Sequence, residues 1–303
     1  MLLSQLRGAM AHAKLRSADR IHQGGNTVRA TYRARIAAAP EDIEAAQRLR
    51  YLAFIACRDA VDRPDGLDAD SFDDICQQVL VAEVGSDRVV ATFRLLRLGC
   101  GAEIGKSYSA QHYGLRGLSR YRRPMVEVGR FCVAPDEVDP GILRTAWSAL
   151  AAIVDREGIR LLFGCSSFHG TDAGIYTDAF AMLKERHLAP QRWRPRIKAP
   201  NVFRFAQRLP QKPDRRRALR SMPPLLRSYL SMGGWVSDHA VIDRDLNTIH
   251  VFTGLEVDSI PPGRAHLLRA SATRGCGLAG PSRLTCFGVP HSPPAWHAHR
   301  FCN

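Results

Sequence analysis

Glu127-Val128-Gly129-Arg130-Phe131-Cys132-Val133-Ala134-Pro135 places a carboxylate and a guanidinium three residues apart in an apolar run that reads as a strand. Alternation along a strand sends successive side chains to opposite faces, so this reading puts Glu127 and Gly129 on one face and Arg130 on the other. Burying an unpaired charge is very costly, so both charges must be paired, solvated or used. Glu127 and Arg130 are therefore candidate site residues.

Around this strand the patterning alternates between helix and strand. Pro40 with Glu41 and Asp42 suits a helix N-terminus, and Ile43, Ala46, Leu49 and Phe54 supply an approximate apolar stripe. Residues 78–84 and 88–96 read as two strands joined at Gly85-Ser86-Asp87. Beyond the central strand, a helix is expected from Pro140 to about Ile153, and a strand over 159–165. Helix, hairpin, strand, helix, strand is an α+β pattern. Later, 225–234 reads as a short amphipathic helix ended by glycines, and 241–243 and 248–252 as short strands. The Pro- and Arg-rich stretch 206–224 reads as a connector. The expected organisation is a basic irregular arm over 1–35, a core over 36–205, a C-terminal extension over 206–268 and a disordered tail over 269–303.

Composition narrows the function. With 43 Lys and Arg against 29 Asp and Glu, the formal charge is +14, which calls for an anionic partner: nucleic acid, anionic lipid or an acidic carrier protein. The arginines are spread along the chain and no nucleic-acid signature accompanies them, which argues against nucleic acid. No apolar run reaches the length of a membrane span, and the first residues lack the layout of a secretory signal, so a cytoplasmic location is expected. The eight cysteines include no Cys-x-x-Cys pair, so no zinc or redox site is expected. Cys165-Ser166-Ser167-Phe168-His169-Gly170-Thr171-Asp172 gathers nucleophile and base types, but a triad is built in space rather than in sequence, and no Gly-x-Ser-x-Gly elbow is present.

Three further clusters precede the central strand: Arg50-Tyr51-Leu52-Ala53-Phe54, Asp70-Ser71-Phe72-Asp73 and Thr92-Phe93-Arg94-Leu95-Leu96. Later come 162–172, His187-Leu188-Ala189-Pro190, 217–225 and the block 233–248. In this order the set resembles the acyl-homoserine-lactone synthases and, more closely, the ornithine-acyl-carrier-protein N-acyltransferases, since the simple signal synthases lack the later blocks. The resemblance covers roughly residues 40 to 268. It implies a GNAT-like acyltransferase fold, with a mixed, mostly antiparallel sheet flanked by helices and followed by a C-terminal extension. The implied activity moves a 3-hydroxyacyl group from acyl carrier protein to the α-amino group of L-ornithine. Another amino acid acceptor, lactone synthesis or a non-catalytic carrier-binding homologue are the alternatives. Acyl carrier protein and L-ornithine are the implied partners, with an anionic membrane surface as a further candidate, and no separate cofactor is expected.

The residues fit that reading. Acetyl-CoA transferases grip the pyrophosphate with a glycine loop at a helix N-terminus. Here the equivalent stretch, 133–141, is acidic and lacks the glycine spacing. A carrier-bound thioester has no pyrophosphate to hold and needs a basic dock, for which Arg122, Arg123, Arg215 and Arg216 are candidates. An α-amine is mostly protonated near neutral pH, so a base is useful, and Glu127 is the candidate. Backbone N–H groups around Val128 and Gly129 are candidates for stabilising the oxyanion. The resemblance further implies that Arg50, Phe54, Asp70, Asp73, Arg94, Gly129 and Arg130 lie around the substrates, with the acids and arginines forming an electrostatic network as in the related signal synthases.

Overall fold

The computed structural model describes residues 31–56, 63–209 and 212–275. An eight-stranded sheet runs through them in the order β1-β2-β3-β5-β6-β10-β9-β8. Its strands are β1 (Tyr32–Ile36), β2 (Gln77–Glu83), β3 (Val89–Leu98), β5 (Met125–Val133), β6 (Leu161–His169), β8 (Val202–Phe203), β9 (Trp235–Asp243) and β10 (Thr248–Glu256). The short strands β4 (Tyr113–Gly114) and β7 (Arg196–Ile197) form a separate antiparallel pair. Every neighbouring pair in the large sheet is antiparallel except β5 with β6. The α+β class is what the chain forms.

That one parallel pair positions the site. β5 and β6 are in register only for Met125–Glu127 against Leu161–Phe163. Past Glu127 the strands separate, and a cleft opens through the sheet between its two antiparallel halves. Gly164 marks the last close approach, because a Cβ there would sit 2.3 Å from the Val128 carbonyl oxygen. Any side chain at 164 would push the strands apart before the natural splay.

Helices close the two faces. Helix α1 (Pro40–Tyr51) starts on its proline and runs into a π turn, Leu52–Ala56, that carries Phe54. After the one-turn helix α2 (Ser109–His112) comes α3 (Pro140–Glu157), N-capped by Asp139. Ile142, Leu150 and Ile153 of α3 pack on Val79, Phe93 and Val126 of the sheet, the largest apolar core. Around the second half, α4 (Thr177–Arg186), α5 (Phe205–Arg208), α6 (Arg215–Ser221) and α7 (Pro224–Ser231) build another core from Phe180, Leu183, Phe205, Ala218 and Leu226. Tyr229 of α7 meets Trp147 of α3 edge to face, with ring centroids 5.0 Å apart.

Several boundaries differ from the sequence reading. The end of the supposed arm, residues 32–35, belongs to the edge strand β1. Tyr32 and Ala34 are buried on the core while Arg33 pairs with Asp87 and Arg35 with Asp42. Residues 1–30 lie outside the described residues. The connector contains helix α6, whose N-cap Asp214 accepts hydrogen bonds from the backbone N–H groups of Arg216 and Arg217. The extension is not separate from the core, because β10 pairs with β6 along nine residues and completes the sheet. Helix α8 (Pro262–Gly275) runs through the expected start of the tail, with Leu268 against the main core and Arg269 paired to Asp155 at 2.7 Å. The rest of that tail, 276–303, lies outside the described residues.

Candidate active site

The cleft between β5 and β6 has a volume of about 670 Å³. One part of its wall is apolar, with Phe131, Val133, Ile142, Leu143, Leu225 and Tyr229. Another part is polar, with Glu127, Arg130, Tyr108, Ser167, Asp243 and His250. An apolar channel joined to a polar compartment suits a molecule with an acyl chain at one end and charged groups at the other.

Arg130 does not take the face that simple alternation assigns it. Between the paired positions Arg94↔Gly129 and Thr92↔Cys132, β5 has two residues, Arg130 and Phe131, where β3 has only Phe93, a β-bulge. Arg130 adopts φ +49°, in the left-handed region. The bulge shifts the alternation by one and returns its side chain to Glu127's side. The guanidinium lies 5.7 Å from the centre of the Tyr108 ring and 5.9 Å from that of Phe54.

Glu127 is 4 % exposed. Its Oε2 accepts the Tyr108 N–H at 2.8 Å, and its Oε1 accepts the N–H and the hydroxyl of Ser109 at 2.7 and 2.6 Å. A carboxylate offers about four lone-pair sites, so three bonds leave room for one more. Burial pushes its carboxyl above the ordinary range, and the bonds from Ser109 and Tyr108 oppose that without cancelling it. Glu127 thus anchors α2 and borders the cleft at the point where the strands part.

The expected network is present and draws in residues that the sequence reading missed, Asp68 above all. Arg50, fully buried, donates to Asp73 at 2.8 and 2.9 Å and to Gln78 at 3.1 Å, and its Nε lies 3.3 Å from Asp68. Arg94 pairs with Asp70 and Asp73, and Arg130 with Asp68 at 3.1 Å and Asp70 at 3.3 Å. Asp68, with no exposed side-chain surface, links Arg50, Arg63 and Arg130. Its signal was the acidic run Asp68-Ala69-Asp70-Ser71-Phe72-Asp73-Asp74, from which only the second and third acids stood out. The network joins α1, the loop before β2, β3 and the bulge of β5, and so fixes one wall of the cleft.

The network sets an acid limit to stability. Burial raises the Asp73 carboxyl, but the hydrogen bond and charge of Arg50, with help from Gln47 and Arg94, outweigh it and bring it down to about 2. A depressed carboxylate stabilises the fold above its unfolded value, near 3.8, and loses that contribution as pH falls through about 2. Asp73 alone then contributes about 2 kcal/mol at neutral pH. Chemical denaturation at stepped pH should show stability falling between about pH 4 and 2, and Asp73→Asn should remove part of that slope.

Other sequence candidates separate in space. Arg122 and Arg123 precede β5 at the end where it is still paired with β6, away from the splay, and Arg123 is bound to Asp258 at 2.7 Å. Arg215 and Arg216 are exposed in the first turn of α6, just before the cleft-lining segment that begins at Pro223. The Cys-Ser-His-Asp stretch makes no triad. Ser166 bonds Thr253, Asp172 caps a turn through the Gly174 N–H, and burial pushes the Cys165 thiol up, away from the thiolate a nucleophile needs. Among the described residues no group of three acids, histidines or cysteines is placed to hold a metal. No helix among them is long and apolar enough to cross a membrane.

Residues 49–148 match the acetyltransferase (GNAT) domain family. Fold, cleft and match together define an acyltransferase of the GNAT class. Over 239 residues the chain is 36 % identical to the L-ornithine N(alpha)-acyltransferase of Rhodobacter capsulatus, covering 76 % of this chain and 92 % of the relative. It is 31 % identical to the protein of the same name from Brucella abortus, over 79 % of this chain and 89 % of the relative. The chain belongs to the L-ornithine N(alpha)-acyltransferase family. A solved structure of the CoA-dependent acyl-homoserine lactone synthase BjaI is also similar, at 17 % identity and a TM-score of 0.46, covering 84 % of this chain and 95 % of that one.

Proposed function

We propose that this protein transfers a 3-hydroxyacyl group from acyl carrier protein to the α-amino group of L-ornithine, forming lyso-ornithine lipid. The observation that carries the reading is the cleft at the β5–β6 splay, with an apolar and a polar part, in a chain whose relatives bear the ornithine acyltransferase name. The acyl chain lies along the apolar wall and the amino acid in the polar compartment. The amine nitrogen attacks the thioester carbonyl carbon, the C–S bond breaks as the amide forms, and the proton lost by nitrogen ends on the departing thiolate.

Glu127 is the base, directly or through water, and burial keeps its affinity for a proton above that of an ordinary glutamate. Past Glu127, β5 has no β6 partner, so backbone N–H groups along that edge near Gly129 are available for the oxyanion. Arg130, at the bulge, borders the compartment and suits the acceptor's carboxylate.

Two features support a carrier-bound donor with no separate cofactor. The N-terminus of α3, where a pyrophosphate would bind, is occupied by Asp139, which accepts the Gly141 N–H at 2.7 Å. Glu137 and Asp136 stand beside it, paired with Arg88. The positive face of α6, with Arg215 and Arg216, is the dock for the acidic carrier. Raising salt should raise KM for the acylated carrier and change kcat less, and charge reversal at Arg215 and Arg216 should do the same at low salt. The same reversal at Arg122 and Arg123 should have little effect. Equal efficiency with acyl-CoA and no salt dependence would overturn the carrier assignment. For the reaction, expression in a host without ornithine lipids should yield a ninhydrin-positive acylated ornithine, identified by mass spectrometry. Its absence alongside soluble, folded protein would overturn the reading.

A further inference from the structure

The part of the polar wall formed by β9 and β10 has no role in the chemistry above. Asp243 on β9 stands opposite Thr248 on β10, and His250 follows two residues later on the same face. All three border the cleft. Diagonal neighbours across an antiparallel pair lie about 7–8 Å apart, within reach of one small ligand.

Thr248 and His250 are 3 % and 2 % exposed, and each keeps a polar atom, Oγ1 and Nε2, without a hydrogen-bond partner among the described residues. The tautomer of His250 follows from its neighbour. The single hydroxyl hydrogen of Tyr113 is donated to the His250 carbonyl oxygen at 2.8 Å. The same hydroxyl oxygen lies 3.2 Å from His250 Nδ1, so that nitrogen must supply the hydrogen of the second bond. Nε2 is then left with a bare lone pair. Burial, with the charges of His112 and His239, presses the imidazole down to about 3, so it is neutral at working pH.

Asp243 completes the group. Its Oδ1 accepts the N–H groups of Asp245 and Leu246 at 3.0 and 3.1 Å, and it makes no salt bridge among the described residues. The other acids on the cleft wall are differently placed. Glu127 and Asp139 have both oxygens engaged, and Glu137 is paired with Arg88. Asp243, Tyr108, Cys165 and Glu127 all line the same cleft.

We propose that Asp243, Thr248 and His250 form a seat for the second, side-chain ammonium group of a diamino-acid acceptor. An ammonium brings three N–H donors and one positive charge. The site holds a hydroxyl oxygen and an imidazole nitrogen, both buried and without partners among the described residues, and a carboxylate with no salt bridge among them. The inference rests on the amino-acid acceptor of the proposed function and adds the element that distinguishes ornithine from a monoamino acid of the same length.

Calorimetry with the purified full chain tests the seat without turnover, using L-ornithine and L-norvaline, which shares the carbon chain and lacks the side-chain amine. The wild type should bind ornithine about tenfold to a hundredfold more tightly. Asp243→Asn keeps the Oδ1 acceptor for its turn and removes the charge. It should abolish most of that difference while leaving norvaline binding unchanged. Thr248→Val should act in the same direction with a smaller loss, and thermal melts confirm that both variants fold. In turnover assays Asp243→Asn should raise KM for ornithine and leave kcat nearly constant. Equal binding of the two amino acids by the wild type, or a folded Asp243→Asn protein that still prefers ornithine, would overturn the seat. Preference without acylation of either amino acid would uphold the seat and overturn the acyl-transfer reading.

Discussion

Arg50→Met should destabilise the protein by about 3–5 kcal/mol, the scale for removing one partner of a buried ion pair. Arg50 is wholly buried, and its guanidinium holds Asp73, Gln78 and Asp68 together. Methionine fills much of the volume but leaves two buried carboxylates short of a counter-charge. The cost comes from those stranded charges rather than from any large net gain in forming the pair. The melting temperature should fall by on the order of 10 °C. Arg123→Met makes the control, since its pair with Asp258 is half exposed on both sides. Exposed pairs are worth about 0–1 kcal/mol, so that variant should melt within a degree or two of the wild type. Adding Asp73→Asn to Arg50→Met should recover part of the loss. A melt for Arg50→Met that matches the control would mean that Arg63 and Arg130 suffice for Asp68 and Arg94 for Asp73, or that the acids are protonated.

Glu127→Gln should lower turnover by about a hundredfold or more, the usual contribution of a general base. The variant also exchanges one acceptor for an NH₂ group, which then faces the N–H of Tyr108 or Ser109. That clash should cost about 1–3 kcal/mol and loosen Tyr108, the ring beneath Arg130. Loss of activity alone therefore does not separate base from anchor. Ser109→Ala does, because the Ser109 hydroxyl bond lowers the Glu127 carboxyl and its removal leaves two anchoring bonds in place. If Glu127 must be ionised to act, the acid limb of the kcat–pH profile should move to higher pH in Ser109→Ala. An unshifted limb together with full activity in folded Glu127→Gln would remove the base assignment.

Much of this architecture is legible in the sequence because apolar period and burial agree. Helix α1, the hairpin β2–β3, β5, α3 and the start of β6 follow from patterns that the packed faces then satisfy. The failures share a cause, which is that long-range pairing decided the outcome. Tyr32-Arg33-Ala34-Arg35-Ile36 alternates, but with two arginines in five residues it reads as polar until β2 supplies the partner strand. Helix α8 carries little apolar periodicity and is held by packing on α3 and by Arg269 with Asp155. The face of Arg130 was out of reach, because a non-glycine residue at positive φ leaves no compositional mark and the bulge shows only in the β3–β5 register. Within the site, Glu127 and Arg130 stood out as charges in an apolar run, whereas Arg50, Asp70, Asp73 and Arg94 came with the clusters that carry the family resemblance. Thr248 and His250 did not stand out, although polar residues two apart on an otherwise apolar strand were the available signal.

The most direct test is the product formed by the purified chain from 3-hydroxyacyl carrier protein and L-ornithine, read by tandem mass spectrometry. The expected product carries the acyl group on the α-nitrogen with the side-chain amine free, and its rate falls at least about a hundredfold in Glu127→Gln. Acylation at the side-chain nitrogen, or an intact carrier thioester in the presence of folded enzyme and ornithine, would contradict the account.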